Sequence, residues 1–435
     1  MIPIGLHQFF TFPILDPLIV LVSNKIHTFL KSSGLAVAAV VIFLALPLHG
    51  RTWTSADGTK TFVGELQSYD GHKGIVTVTL RSGKRISFSQ SKLSREDIAF
   101  LEKGGGSSTG SRLLSELPLP KVLPDPDGKD ADMSKPVQVY LLLGQSNMLG
   151  FGKPNLLEGI ASEKYPYLVD EAGEWTTRKD VRNVRVMCSG NSPAKDYIND
   201  WMTIQGNIGP EIGIGHYLGH VTDAPVMILK SCIGNRSLGW DLLPPGTEPW
   251  EHAGKVQPGY RGTPDDPGGD TGGDMSRGWY AGCQYDGDIA AAKKVLEQLD
   301  KYYPGAQAYE VMGFFWWQGD KDMRKAAHYE SYERNLIQLI RSLRKDFEAP
   351  EARFVSASLG QTREGSNRGD GVILEAMKSV ARSEDPDLRG KVGFVYTNPL
   401  SKGGSSSGHY GGNPETYMNV GEEMGKVMVG LLRGK

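Results

Sequence analysis

Two side chains able to carry out acyl transfer stand far apart in the chain: Ser146, in Gly144-Gln145-Ser146-Asn147, and His409, in Ser407-Gly408-His409-Tyr410. A serine hydroxyl is a weak nucleophile until a base takes its proton, and imidazole, the side chain that titrates nearest neutrality, is the usual base. The reaction also needs N–H donors where the oxyanion develops. Two further blocks offer such amides, Ser231-Cys232-Ile233-Gly234-Asn235-Arg236 and Trp316-Trp317-Gln318-Gly319-Asp320. Taken singly each block reads as a polar turn, because Ser, Asn and Gly are ordinary turn residues. They become a site only if the fold brings them together.

The elements around them do so. Short apolar runs at 137–143, 225–230, 311–316, 353–358 and 392–397 predict strands buried on both faces. Between and after them, apolar residues recur at helical spacing over 288–303, 328–347, 371–383 and 414–433, the last with Pro414 at its start, where a missing N–H costs least. Strands alternating with helices predict an α/β fold, a three-layer α/β/α arrangement around a five-stranded parallel sheet. Each block follows the carboxyl end of a strand, the rim on which open parallel sheets bind ligands.

The ordered set "GQSNM", "IGN", "WWQGD" and "HYGGNPETYMNVGEEMG" resembles the sialate O-acetylesterase-like branch of the SGNH hydrolases, over about residues 134–433. That resemblance implies a flavodoxin-like SGNH fold and a serine carbohydrate esterase. Such an enzyme removes O-acetyl groups from sialate or polysaccharide acetyl esters through an acyl-enzyme, without a cofactor. By motif, Ser146 is the nucleophile and His409 the base, and the backbone amides of Ser146 and Gly234 with the Gln318 side chain form the oxyanion hole. The serine block is not the Gly-x-Ser-x-Gly elbow of α/β-hydrolases. One position departs from the pattern: where many SGNH members carry aspartate three residues before the histidine, this chain has Ser406. The orienting acid must come from elsewhere, with Asp320 the first candidate and Asp322 and Glu211 after it, or His409 works in a dyad. Two other readings stay open: an esterase for another small acyl ester, and a catalytically decayed surface protein that binds carbohydrate.

Asn235, Arg236 and Trp240 are the candidate contacts to the sugar. Trp240 opens a long aromatic segment, 238–285, in which Trp240, Trp250, Tyr260, Trp279 and Tyr280 either stack on sugar rings or pack the segment onto its domain. Its "DDPGGDTGGD" run does not have calcium-loop spacing and reads as solvated turns. No pair of histidines has metal-ligand spacing with a carboxylate, so no metal is expected.

The 435 residues carry a net charge of −2, which gives no field to attract nucleic acid. Three cysteines, Cys188, Cys232 and Cys283, can form one disulfide at most and read as buried small hydrophobes. Residues 35–48, "LAVAAVVIFLALPL", follow Lys25 and Lys31 and are too short to span a bilayer, so residues 1–50 read as a signal peptide or N-terminal anchor of an exported protein. From 51 to 103, short strand-like runs separated by Gly and Asp clusters predict a small all-β domain. This stretch resembles the first Sla homology domain, a barrel-like module, through "RTWTSADG", "GIVTVTL" and "LSRED". The resemblance implies a contact with protein or polysaccharide, and a spacer is the alternative. Residues 104–135, rich in Gly, Ser and Pro, read as a linker to an esterase domain over 136–435.

Overall fold

The computed structural model describes residues 51–70, 74–80, 85–102, 119–126, 128–269, 278–306 and 308–434. The segment expected to be a signal or anchor lies outside them, as does the end of the Asp/Gly run. Among the described residues no helix is long and apolar enough to cross a membrane. The chain divides into two compact units, Met1–Ser107 and Ser108–Lys435.

In the first unit, strands β1 (Arg51–Thr54), β2 (Thr61–Asp70), β3 (Ile75–Leu80) and β4 (Arg85–Ser89) pair antiparallel in chain order, and helix α1 (Arg95–Glu102) follows. An isolated bridge between Ser55 and Leu93 joins the chain after β4 to the end of β1. Trp53, Val76, Val78, Leu93 and Leu101 form the core. The "LSRED" stretch starts α1 by capping: Ser94 Oγ accepts from the Asp97 N–H (3.2 Å) and donates to Asp97 Oδ2 (3.0 Å), which also accepts from the Thr54 N–H (2.7 Å).

The second unit is built on seven strands. They are β5 (Val137–Gly144), β6 (Arg178–Met187), β7 (Lys195–Met202), β8 (Val226–Ser231), β11 (Tyr309–Trp317), β12 (Arg353–Ala357) and β13 (Val392–Val395), in the order β13-β12-β11-β5-β8-β6-β7. A two-stranded ribbon, β9 (Trp250–His252) and β10 (Lys255–Gln257), stands apart from that sheet. All neighbours in the seven-stranded sheet are parallel except β7, which pairs antiparallel with β6 at one edge. The five expected strands are present, and β6 and β7 extend the sheet to seven. Charges interrupt both: β6 reads "RKDVRNVRVM" and exposed β7 "KDYINDWM", so neither is an apolar run.

Alternate residues of β5 point to opposite layers, as the pleat requires. Tyr140 and Leu142 join a core with helices α2 (Ser146–Leu149), α3 (Glu211–Val221) and α7 (Pro414–Leu432), through Met148, Ile214, Tyr217, Met424 and Met428. Val139, Leu141 and Leu143 face helices α4 (Cys283–Glu297), α5 (Tyr332–Asp346) and α6 (Gly369–Ala381). The three-layer α/β/α arrangement expected from the sequence is therefore present, around a mostly parallel sheet. Helix α3, "EIGIGHYLGHV", carries three glycines, which weaken a helix in isolation. Here they permit close approach: a Cβ on Gly213 would stand 2.4 Å from the Glu422 backbone nitrogen in α7. The stretch read as linker is partly ordered against this unit, for Leu123 is 4% exposed within its core.

Candidate active site

The strand order reverses at β5: the chain lays down β6, β7 and β8 on one side of it, then crosses to β11 on the other. The crevice outside the carboxyl ends of such strands is where a parallel sheet presents its loops. Ser146 leaves β5 there, the Gly234 turn follows β8, and Gln318 and Asp320 follow β11.

Ser146 opens the four-residue helix α2 and is 8% exposed. Gly144, which turns the chain out of β5, has φ +139°, and a Cβ there would lie 2.6 Å from the Trp317 carbonyl oxygen, so only glycine fits. As the first helical residue, Ser146 has a backbone N–H with no partner inside the helix. Gly234 is its neighbour across the crevice: an added Cβ would stand 3.5 Å from Ser146 Cβ. The Gly234 N–H donates to no backbone or side-chain group of the described residues.

The far end of α2 is held from within the sheet. Lys230, 1% exposed on β8, donates to the Leu149 carbonyl (2.9 Å) and pairs with Glu211 (2.5 Å), itself 4% exposed. Burial pulls the Lys230 ammonium below the usual lysine range, while Glu211 opposes that pull. Glu211 is thus the counter-ion of Lys230 and not a partner of the histidine.

His409 lies on a turn, residues 406–412, that packs on α2. Four consecutive residues are left-handed, His409 (φ 50°), Tyr410 (φ 53°), Gly411 (φ 62°) and Gly412 (φ 75°). For the two non-glycine residues this costs roughly 1–2 kcal/mol each. The conformation is held by Tyr410, which is fully buried, accepts from the Gly360 N–H (3.1 Å) and stacks on Trp317 with ring centroids 5.8 Å apart. The His409 ring is stacked on Phe151, centroids 4.0 Å apart and planes 6° from parallel, and Tyr417 donates to the His409 carbonyl (3.3 Å). No hydrogen bond joins the His409 ring nitrogens or Ser146 Oγ to a described residue.

Asp320 does not reach the imidazole. Its carboxylate accepts from Ser406 Oγ (2.5 Å), Ser407 Oγ (2.8 Å) and Arg324 Nη2 (2.9 Å), and Arg324 also donates to Ser407 Oγ (3.0 Å). The carboxylate absent from position 406 is thus replaced by a serine whose hydroxyl donates to Asp320, which follows β11.

Gln318 also differs from expectation. It is fully buried, and its amide nitrogen faces Asp322 Oδ2, the Arg236 carbonyl (2.8 Å) and Gln145 Oε1 (3.2 Å), while its Oε1 accepts from Tyr332 (2.9 Å). Its N–H groups are committed behind the crevice. Gln145, unnoticed beside the serine, is instead oriented by them: its Oε1 accepts from Gln318 and from the Lys321 N–H (3.4 Å), leaving Nε2 without a described acceptor. The signal was only its place before Ser146.

Asp322 is a scaffold residue, accepting from the Leu238 N–H (3.0 Å), the Gly239 N–H (2.8 Å) and Gln318, and burial pushes its carboxyl up to about 6. Burial likewise pushes its neighbour His328 down to about 4.

Arg236 turns inward. Its Nη1 donates to the carbonyls of Gly234 (3.3 Å) and Asn235 (3.2 Å), Nη2 to Ser189 Oγ (3.1 Å) and Nε to Gln284 (3.0 Å), and the guanidinium lies 4.9 Å from the Trp279 ring centroid. Asn235 is exposed, with φ 57°, and Trp240 is half-buried. Of the other aromatics, Trp250 carries the Arg334 guanidinium of α5 3.8 Å from its ring centroid, and Tyr260 and Tyr280 both donate to Asp286 of α4, so these pack the segment onto its domain. All three cysteines are free and buried. Among the described residues no three His, Cys, Asp or Glu side chains converge as a metal site.

Residues 269–429 match the family described as carbohydrate esterase, sialic acid-specific acetylesterase. The match spans Gln318, Asp320 and His409 and begins after Ser146 and Gly234. No curated protein matches the chain. Solved structures similar to it include a protein from Arabidopsis thaliana, 14% identical, with 68% of this chain and 98% of that one covered and a TM-score of 0.39. A carbohydrate acetylesterase from Xanthomonas citri is 15% identical, with 68% and 57% covered and a TM-score of 0.41, so the chain spans little more than half of that protein. NanS is 13% identical, with 62% and 79% covered and a TM-score of 0.35. The family match, on the strands and loops just described, makes residues 269–429 of this chain similar to the carbohydrate esterases of the sialic acid-specific acetylesterase family.

Proposed function

We propose that the protein is a serine esterase that removes O-acetyl groups from a carbohydrate. The observation that carries this reading is the meeting of the Ser146 helix start, the Gly234 turn and the His409 turn at the point where the strand order reverses. Ser146 Oγ attacks the acetyl carbonyl as His409 takes its proton. The Ser146 and Gly234 N–H groups, with Gln145 Nε2 beside them, receive the oxyanion. Collapse of the tetrahedral intermediate expels the sugar alkoxide, which takes the proton from His409, and leaves acetyl-Ser146. Water, deprotonated by His409, then releases acetate. Asp320 serves this chemistry by fixing Ser406 and Ser407 ahead of the histidine, and Phe151 sets the plane of the ring. Gln318 supports from behind, through Gln145 and the Arg236 carbonyl. Export of the protein, suggested by the apolar run at 35–48, and a tethering contact through the four-stranded unit belong to the same proposal.

The test is acetate release from p-nitrophenyl acetate and from acetylated sugars by the protein and its Ser146→Ala variant. Release by the parent protein and its loss in the variant is expected. Equal release by both would remove Ser146 from the mechanism. A series of longer acyl esters separates an acetyl-specific pocket, which rejects butyryl, from one built for another acyl group.

A further inference from the structure

The Gly234 turn is not self-supporting. Asn235 is left-handed, a conformation that even asparagine adopts at a cost, and no secondary structure encloses it. Yet its three successive carbonyls each meet a side-chain donor. The Gly234 carbonyl accepts from Arg236 Nη1 (3.3 Å). The Asn235 carbonyl accepts from the same Nη1 (3.2 Å) and from Lys321 Nζ (3.2 Å), and the Arg236 carbonyl accepts from Gln318 Nε2 (2.8 Å). A trans peptide is planar with C=O and N–H opposed, so holding the oxygen fixes the direction of the following N–H. Three successive planes are pinned in this way. The Gly234 N–H, which has no acceptor among the described residues, is then left with only the rotations of Gly234 itself.

The holders are themselves held. Lys321 pairs with Asp241 (2.8 Å), whose Oδ2 also accepts from the Ser237 N–H (2.8 Å). Arg236 is locked by Gln284, which donates in turn to Asp288 (2.7 Å), and by the Trp279 ring. Arg236 makes no ion pair among the described residues, and four of its five N–H groups already have acceptors within the protein. It is therefore badly equipped to grip a sugar by a two-pronged contact, which needs a free fork.

We propose that Arg236, with Lys321, is a positioning residue that aims the oxyanion-binding turn, and is not a sugar-binding residue. The proposal rests on the esterase reading above. The discriminating substrate is p-nitrophenyl acetate, which has the ester and no sugar. A residue that grips sugar is silent with it, whereas one that aims the oxyanion donors is not. Arg236→Met is expected to lower kcat by about 10²-fold on p-nitrophenyl acetate and on an acetylated sugar alike, with KM little changed, the size of effect seen when an oxyanion donor is lost. Lys321→Met, which removes one of two donors to a single carbonyl, is expected to lose less, and ethylguanidine is expected to restore part of the activity of Arg236→Ala. Unchanged kcat on p-nitrophenyl acetate with a raised KM on sugar alone would overturn the proposal. A crystal structure of Arg236→Met gives a readout independent of turnover and of folding yield. Displaced carbonyls at 234 and 235 support the clamp, and an unmoved turn refutes it even if Ser146→Ala shows the esterase reading to be wrong.

Discussion

Replacing Glu211 by leucine would strand the Lys230 ammonium in the core, and the size of the effect follows from two bounds. Lys230 and Glu211 side chains are 1% and 5% exposed, so water cannot take the place of the lost carboxylate. Removing one partner of such a pair typically costs about 3–5 kcal/mol, because the remaining charge stays buried without compensation. The ceiling is the work of discharging the lysine instead, about 4–5 kcal/mol at pH 7 for a side chain that ordinarily titrates near 10.4. Glu211→Leu should therefore lose about 3–5 kcal/mol in urea denaturation of the full chain, followed by fluorescence of the buried tryptophans 316 and 317. The sign of the pH dependence is fixed too. Burial already depresses the Lys230 ammonium, and loss of Glu211 removes the group that opposes this. A base whose folded-state pKa is depressed favours the fold above its unfolded pKa and loses that advantage as pH falls through the folded one. The deficit should shrink as pH rises toward 10. In Glu211→Leu/Lys230→Met no buried charge remains, and stability should return to within about 1–2 kcal/mol of the parent. Activity should not return with it, because the Leu149 carbonyl at the end of α2 loses its donor. A deficit under about 1 kcal/mol in the single variant, or full activity in the double one, would refute the claim that this pair holds the helix that Ser146 opens.

Two further perturbations read the crevice directly. Gly234→Ala places a methyl 3.5 Å from Ser146 Cβ, an ordinary contact, so the melting temperature should hold while kcat falls by about 10- to 100-fold as the methyl enters the space for the acyl group. A kcat equal to that of the parent would move the reaction away from this face of Ser146. Asp320→Asn keeps the shape but exchanges charge-assisted hydrogen bonds to Ser406 and Ser407 for weaker ones, and kcat should fall by about tenfold with KM unchanged. Ser406→Ala/Ser407→Ala should reproduce that loss, and retention of full kcat in the double variant would mean that the His409 turn needs no help from Asp320.

What could be read before the structure was whatever the chain repeats in a regular period. The five strands that lie side by side from β13 to β8 are continuous apolar runs because helices cover both their faces, and the serine, glycine, glutamine and histidine blocks follow at their ends. Strands β6 and β7 escaped because Arg182, Arg185 and the acidic residues of an exposed edge break the run, and α3 escaped because its glycines serve a neighbouring helix and not its own propensity. Side-chain direction was illegible for a different reason. Whether Gln318 faces the crevice or the interior depends on Asp322, four residues on, and on the carbonyl of Arg236, eighty-two residues back, and no local pattern encodes that choice. The same holds for Asp320, whose adjacency to Gln318 suggested a partner for His409 but whose carboxylate meets Ser406 first. Position 406 then ceases to be a simple defect. Ser406 donates to the Asp320 carboxylate that follows β11, so position 406 and Asp320 belong to one hydrogen-bonded arrangement.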